Sequence, residues 1–234
     1  MILDLIYPPR CPICHDIVEP GYEMVCGRCL KQLPLVRDPK CEKCGKPVPE
    51  GEKLCYDCTV IEHAFSEGMG IFLYNEVMRK SMYKFKYLGR KEYGRFYGTA
   101  AWIYGKETLK AWNPEVIVPV PVHITRKRKR GYNQAEVISE VLGQYMHIPV
   151  SKGALKRCTK TVAQKELTVE ERRRNLEGAF SVTGIFFPWK RVLLVDDIYT
   201  TGSTADSASK ELKKYGIQEI YSLSICIGKG FVLQ

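Results

Sequence analysis

The chain of 234 residues carries a formal net charge of +10, and 45% of its residues are hydrophobic. It is long enough and apolar enough to bury a core, and it lacks the run of about eighteen apolar residues that a membrane-spanning helix needs. Its first ten residues include an acid at Asp4 and have no basic segment before their apolar stretch. Because this start is unlike a secretory signal, we expect a cytoplasmic protein.

The positive charge is concentrated in one part of the chain. Residues 121–175 contain 13 basic and 5 acidic side chains and therefore carry +8 of the net charge of +10. A block of this density favours an anionic partner, such as a phosphate, a nucleotide or a nucleic acid, over an ordinary solvated surface.

Eight of the ten cysteines form four Cys-x-x-Cys pairs near the start of the chain. Two intervening residues let both thiolates of a pair bind one Zn²⁺ ion, and two pairs complete a tetrahedral site. Four pairs therefore predict two zinc ions, and without a secretory signal disulfide bonds are disfavoured. The predicted ligands are Cys11, Cys14, Cys26, Cys29, Cys41, Cys44, Cys55 and Cys58.

The spacing leaves the pairing of these cysteines open. Sequential, nested and crossed arrangements all satisfy it, and each gives closed four-thiolate sites with a structural rather than a catalytic role. His15 and His63 could replace a cysteine ligand. Since eight cysteines already suffice for two ions, we interpret both histidines as ordinary polar side chains.

A strand, two acids and a loop of hydroxyl residues follow one another late in the chain. Val192–Val195 predicts a strand buried on both faces, and Asp196 and Asp197 come next. Loop N–H groups, hydroxyl groups and the dipole of the following helix favour a phosphate, while the two carboxylates can accept hydrogen bonds from ribose hydroxyl groups. The segment therefore predicts a site for a ribose 5-phosphate group, with the loop residues Thr200, Thr201, Gly202, Ser203 and Thr204.

The remaining pattern predicts an α/β fold. Strands near 116–120, 191–196 and 219–227, with helices between them, indicate a mainly parallel sheet with helices on both faces. We expect this domain to span residues 67–234 and a small Cys-rich zinc module to span residues 1–60. In such sheets the site lies at the carboxyl ends of the strands.

Aromatic and basic residues alternate between positions 83 and 97. This pattern can bind single-stranded nucleic acid by stacking and charge, but it is more typical of two amphipathic helices with aromatic cores. The aromatic members are Tyr83, Phe85, Tyr87, Tyr93, Phe96 and Tyr97.

Two resemblances follow from these motifs. Val192–Thr204 resembles the binding signature of type I phosphoribosyltransferases. Nearly the whole chain resembles the ComF family, which joins a double zinc ribbon to a phosphoribosyltransferase domain. Besides the cysteine pairs and the loop, the second resemblance rests on Val118–Pro121, Arg130–Gln134 and the stretch from Gln164 to Asn175.

The resemblance implies a set of site roles. Asp196 and Asp197 would be the catalytic acids that contact the ribose hydroxyl groups, and the hydroxyl loop would hold the 5-phosphate. The ligand would be phosphoribosyl pyrophosphate with Mg²⁺. The candidates for binding the pyrophosphate or DNA are Pro121, Arg126, Arg130 and Arg172.

The resemblance also implies a role in handling single-stranded DNA during natural transformation, with a competence helicase as a partner. An alternative function is an active phosphoribosyltransferase that moves phosphoribose to an amine or a nucleobase. A third is a regulator that senses phosphoribosyl pyrophosphate and binds duplex DNA. Composition and spacing do not decide among the three, and they name no acceptor substrate.

Overall fold

The structure is a computed structural model that describes residues 8–19, 24–158, 178–183 and 188–229. Its strands are β1 (Glu67–Leu73), β2 (Val116–Pro119), β3 (Leu155–Arg157), β4 (Phe180–Val182), β5 (Arg191–Tyr199) and β6 (Glu219–Ile227). Four of them form a sheet in the order β1-β6-β5-β2, with every neighbouring pair parallel. Strands β3 and β4 form a separate antiparallel hairpin. The mainly parallel sheet expected from the sequence is confirmed.

Helices cover both faces of this sheet. The helices of the described residues are α1 (Gly27–Leu30), α2 (Tyr56–Val60), α3 (Glu76–Tyr87), α4 (Tyr93–Trp112), α5 (Ile124–Arg130), α6 (Gln134–Met146) and α7 (Ser203–Lys213). Successive side chains of a strand point to opposite faces. Accordingly, Leu193 and Val195 of β5 share a hydrophobic cluster with α3, α4 and α6. Val192 and Leu194 share another with α7 and the hairpin. We call these the first and second face.

The segment between the second and third cysteine pairs lies along β1, the outer strand of the sheet. The N–H of Val36 donates to the carbonyl of Ile71 (3.0 Å), and the N–H of Leu73 donates to the carbonyl of Pro34 (2.7 Å). An uncovered outer strand would present unpaired backbone groups to other chains, and this segment occupies some of them. The cysteine-rich part thus packs against the sheet. The division into a zinc module of residues 1–60 and an α/β domain of residues 67–234 therefore stays a prediction.

The structure differs from the sequence pattern in two details that bear on the site. Strand β5 extends to Tyr199, so Asp196 and Asp197 lie within it rather than after it. Four of the six alternating aromatics are buried as expected, but Tyr83 and Tyr87 are 56% and 53% exposed. These two are one helical turn apart on the outward side of α3, where the core prediction was wrong. Among the described helices, none is long and apolar enough to cross a membrane.

Candidate functional site

The paired cysteines assemble into two groups of four, in sequential order: Cys11, Cys14, Cys26 and Cys29 in one, and Cys41, Cys44, Cys55 and Cys58 in the other. Within each group the sulfur atoms lie within 4.8 Å of one another. The Sγ atoms of Cys14 and Cys26 are 3.8 Å apart, and those of Cys44 and Cys55 are 3.5 Å apart. A tetrahedral Zn²⁺ ion with bonds of about 2.3 Å places its sulfur ligands about 3.8 Å apart. Both groups therefore fit a structural zinc ion.

Short helices support both groups. Cys26 is the N-cap of α1, and Cys55 is the N-cap of α2. The first backbone N–H groups of each short helix therefore lie next to a cysteine pair. We call the part that carries Cys11 to Cys29 the first ribbon and the part that carries Cys41 to Cys58 the second ribbon.

The predicted phosphate loop, residues 200–204, joins the end of β5 to the start of α7. Gly202 is the N-cap of α7 and has a φ of +82°, which a residue with a side chain adopts only with strain. The hydroxyl groups of Thr201 and Ser203 are 2.9 Å apart. The first N–H groups of any helix have no acceptor within that helix, so those of α7 are directed into the loop. The arrangement is suited to a phosphate group.

The two acids lie beside this loop in a part-buried setting. The ammonium group of Lys86, on α3, is 2.7 Å from Oδ1 of Asp197, and both side chains are less than a fifth exposed. The N–H of Asp197 donates to Oδ1 of Asp196 (2.8 Å). Burial, together with the neighbouring charge of Asp197, raises the pKa of Asp196 to about 7. Asp196 therefore titrates near neutral pH.

A second basic side chain, that of Arg157, is close enough to Asp196 for their charges to interact. Arg157, on β3, has its pKa lowered first by burial and then by the charge of Arg126, while Asp196 acts in the opposite direction. Its guanidinium group lies 5.4 Å from the centre of the Phe180 ring. Two guanidinium groups near an acid form a setting that suits an anionic ligand with more than one charge.

The other predicted basic residues have different places. Arg130 donates to Gln134 (2.8 Å) and to the hydroxyl of Tyr87 (3.1 Å), so it ties α5 to α6 and α3. Pro121 follows Val120, whose N–H donates to the carbonyl of Val195 at 2.9 Å. Arg172 and the stretch from Gln164 to Asn175 lie outside the described residues.

Asparagine 133 holds the start of α6 against the loop after β2. Its Oδ1 accepts from the N–H of Ala135 (3.2 Å), and its Nδ2 donates to the carbonyl of Val120 (3.0 Å). Asn133 is almost fully buried. Asn133 therefore caps α6, and the same side chain positions the backbone that leads to Pro121.

Four residues lie at or behind the phosphate loop and the acids without having been predicted there. Lys86 and Arg157 contribute charge, and His63 and Asp206 lie behind the phosphate loop. The signal available for Lys86 was its place on a predicted helix next to the core residue Phe85. For His63 and Asp206 no local pattern existed, because they are 143 residues apart.

Comparison with known proteins adds three results. The double zinc ribbon domain model matches residues 2–59. The chain is 33% identical to "Competence protein F" of Haemophilus influenzae over 216 residues, which cover 90% of this chain and 93% of that protein. It is 26% identical to "Competence protein ComFC" of Bacillus subtilis, covering 83% and 80% of the two chains, and 24% identical to "DNA utilization protein YhgH" of Escherichia coli K12, covering 95% and 98%.

A solved purine phosphoribosyltransferase from Pyrococcus horikoshii aligns with a TM-score of 0.34 and 18% identity, covering 59% of this chain and 93% of that one. The α/β assignment does not depend on this alignment, since the strand order and the parallel register establish it.

These results place the chain among proteins with a double zinc ribbon, which is followed here by an α/β domain. More specifically, the chain belongs to the ComF family, whose relatives include competence and DNA utilization proteins.

Proposed function

We propose that the chain binds phosphoribosyl pyrophosphate, or another ligand with a 5-phosphate group, and acts on single-stranded DNA during natural transformation. The observation that carries the proposal is the loop after β5, where Gly202 opens α7 directly beside Asp196 and Asp197. The names of the relatives support the part that concerns DNA. A cytoplasmic location and a helicase partner belong to the same proposal.

In this proposal each group at the site has one task. The N–H groups at the start of α7 and the hydroxyl groups of Thr201 and Ser203 donate to the 5-phosphate. Asp196 and Asp197 accept hydrogen bonds from the ribose hydroxyl groups, and Lys86 compensates the charge of Asp197. Carboxylate oxygens are ligands that Mg²⁺ prefers, so these two acids also fit a magnesium ion bound together with a pyrophosphate group. Such an ion would neutralise part of the ligand's charge.

The position of Arg157 favours a second candidate function, an active phosphoribosyltransferase. A leaving pyrophosphate needs positive groups that are already in place when charge develops. Burial and then the charge of Arg126 lower the pKa of Arg157, while Asp196 raises it, so two guanidinium groups and an acid influence one another's surroundings at this place. Release of pyrophosphate in the presence of an amine or a nucleobase would establish this function.

The exposed aromatic surface of α3 supports the interaction with DNA. The rings of Tyr83 and Tyr87 are 5.1 Å apart, and the guanidinium group of Arg130 lies 4.8 Å from the centre of the Tyr87 ring. Exposed rings next to basic groups bind single strands by stacking on bases and by charge. We therefore propose that single-stranded DNA contacts this surface, which adjoins the basic helix α5.

Calorimetric titration of the zinc-loaded protein with phosphoribosyl pyrophosphate and Mg²⁺ tests the site. We expect binding by the wild-type chain and a loss of affinity of about 100-fold or more in Asp197→Asn, because an uncharged amide replaces the carboxylate and one acceptor oxygen for the ribose becomes a donor. Asp16→Asn is the matched control, since Asp16 makes an exposed ion pair with Arg28 in the first ribbon. Equal affinities for wild type and Asp197→Asn would show that the ribose contacts are misplaced.

Binding of short oligothymidylates with a 5-phosphate or a 5-hydroxyl end tests the DNA surface. We expect Tyr87→Ala to weaken binding of both oligonucleotides about tenfold, because one stacking contact contributes about 1–3 kcal/mol. Tyr215→Ala removes a comparably exposed ring at the end of α7 and serves as the control. If Tyr87→Ala and Tyr215→Ala bind DNA equally well, the surface on α3 is not the one used.

A further inference from the structure

His63 lies between the second ribbon and β1, and its side chain is fully buried. Its Nδ1 atom is 2.7 Å from Oδ2 of Asp206, and the N–H of Ala64 donates to Oδ1 of the same carboxylate (2.9 Å). Two consecutive residues therefore hold both oxygens of one acid. Asp206 belongs to the first turn of α7, and its N–H donates to the carbonyl of Gly202 (2.8 Å). The contact thus reaches the turn that carries the phosphate loop.

The ring of His63 also forms a wall behind the loop itself. A Cβ atom at Gly202 would lie 2.7 Å from Cε1 of His63 and 2.5 Å from the hydroxyl oxygen of Tyr199, closer than such atoms approach. The hydroxyl of Tyr199 is in turn 3.4 Å from Nε2 of His63. Because Gly202 has no side chain, the loop backbone can pack closely against these two rings in its observed conformation.

His63 is attached on its other side to the second ribbon. The ring of Phe65 stacks on that of His63, with centres 4.9 Å apart and planes 20° apart. Phe65 is buried in the same hydrophobic cluster as Cys41, Cys44 and Cys55. In addition, Lys43, inside the third cysteine pair, donates to the carbonyl of Ser66 (2.9 Å). A continuous set of contacts thus joins the second zinc site to the phosphate loop.

We infer that His63 is a positioning residue through which the second zinc site holds the phosphate loop in its binding conformation. Ordering of the second ribbon fixes Phe65 and His63, and these fix Asp206 and Gly202 at the start of α7. The described residues of the first ribbon have no such role, because the buried ones among them join the cluster on the first face. The inference about affinity rests on the proposed function, whereas the inference about loop conformation stands without a ligand.

Amide hydrogen exchange of the full, zinc-loaded chain tests the conformational part directly. In His63→Ala we expect exchange at residues 200–206 to accelerate about tenfold or more, while residues in α4 keep wild-type rates. His15→Ala is the matched control, because His15 belongs to the first ribbon and bonds to Tyr93 on α4. His63→Asn, whose amide can replace Nδ1 as a donor to Asp206, should restore part of the protection. Unchanged exchange at 200–206 in His63→Ala would overturn the inference.

Two further variants separate a specific effect from general unfolding. If amide exchange in His63→Ala is faster throughout the described residues, exchange at residues 200–206 is measured in Asp206→Asn instead. This variant keeps an acceptor for the N–H of Ala64 and removes only the charged partner of His63. Cys58→Ser and Cys14→Ser each remove one ligand from one ribbon. Loss of protection at 200–206 in Cys58→Ser but not in Cys14→Ser is expected, and equal effects of the two would contradict the inference.

Titration with ribose 5-phosphate completes the experiment. We expect about a tenfold weaker affinity in His63→Ala, a smaller loss in His63→Asn and no change in His15→Ala. If wild type binds neither ribose 5-phosphate nor phosphoribosyl pyrophosphate, the proposed function fails, while the exchange rates still decide the role of His63. If ligands bind equally to wild type and His63→Ala, the positioning role fails and the proposed function is kept.

Discussion

The two ribbons contain the same four-cysteine pattern, but they pack against different parts of the protein. Cys11, Cys26 and Cys29 are buried with side chains of α3 and α4 on the first face of the sheet. Cys41, Cys44 and Cys55 are buried with side chains of β2, β5 and α7 on the second face. The segment that pairs with β1 connects them across the edge of the sheet.

One histidine in the first ribbon and one that follows the second ribbon reach the α/β part. His15 meets the hydroxyl of Tyr93 in the middle of the helical layer, and His63 meets Asp206 beside the phosphate loop. The metal ligands are the same, so the chemistry of zinc cannot account for the difference. The role of a structural metal site depends on the residues that surround its ligands. Among the residues that the structure describes, those of the second ribbon, and not those of the first, adjoin the candidate ligand site.

Removing a zinc ligand should have the largest effect on stability. We expect Cys11→Ser and Cys44→Ser to lower the free energy of unfolding by several kcal/mol, because metal binding contributes directly to the folding of small zinc modules. Metal analysis should find one zinc ion per chain in each variant. Thermal unfolding followed by circular dichroism gives the loss of stability. A variant that keeps two zinc ions would contradict the assignment of its cysteine.

Ligand binding should protect one zinc site more than the other. Effects between two coupled sites are reciprocal, so a ligand at the phosphate loop should stabilise the second ribbon. At a ligand concentration 100 times its dissociation constant the gain is about 2.7 kcal/mol at most. We expect ribose 5-phosphate to slow zinc removal by a chelator from Cys14→Ser, which keeps the second site. Ribose 5-phosphate should not change the rate of zinc removal from Cys58→Ser, which keeps the first site. Equal slowing in both variants would contradict the different roles of the two ribbons.

The titration of Asp196 tests the electrostatics of the candidate site rather than the contacts that the ribbons make with it. The pKa of this carboxyl is raised from 3.8 to about 7, so between these pH values the folded chain holds a proton that the unfolded chain has released. Stability should therefore fall as the pH rises through this window. In magnesium-free buffer, Asp196→Asn should be more stable than wild type at pH 8 by on the order of 1–2 kcal/mol, with a smaller difference at pH 5.

Denaturant unfolding at the two pH values measures this difference. Asp16→Asn, which changes an exposed acid, should show no comparable dependence on pH. A constant difference between Asp196→Asn and wild type from pH 5 to pH 8 would mean that Asp196 is ionised throughout.

The smallest expected effects come from a matched pair of tyrosines. Tyr93→Phe removes the hydroxyl that meets His15 and should cost about 1 kcal/mol of stability without changing ligand affinity. Tyr199→Phe removes a longer contact of 3.4 Å to His63, so its cost should be smaller. It should nevertheless weaken ribose 5-phosphate binding, by roughly two- to threefold. Calorimetry on both variants measures their stability and their affinity for ribose 5-phosphate. A loss of affinity in Tyr93→Phe but not in Tyr199→Phe would contradict the comparison of the two ribbons.

The sequence predicted those features that depend on neighbouring residues. Two-residue spacing brings both thiolates of a cysteine pair to one metal, so the zinc ligands could be identified before the fold was known. The strand, the acids, the loop and α7 are contiguous along the chain. Their order alone therefore indicates a phosphate-type loop, although the roles of these residues stay a prediction. Even there, the end of β5 was placed too early, because Asp196 and Asp197 interrupt the apolar pattern of a strand that continues to Tyr199.

Only the tertiary structure decided how these local units meet. Spacing allowed three pairings of the cysteines, and the folded chain selects the sequential one. Lys86 and Asp197 are 111 residues apart, and His63 and Asp206 are 143 apart. No periodicity links such positions. Their contacts arise because the parallel sheet brings the end of β5 next to α3 on one face and next to the second ribbon on the other. Local chemistry thus determined which groups could bind metal and phosphate, and packing determined which of them act together.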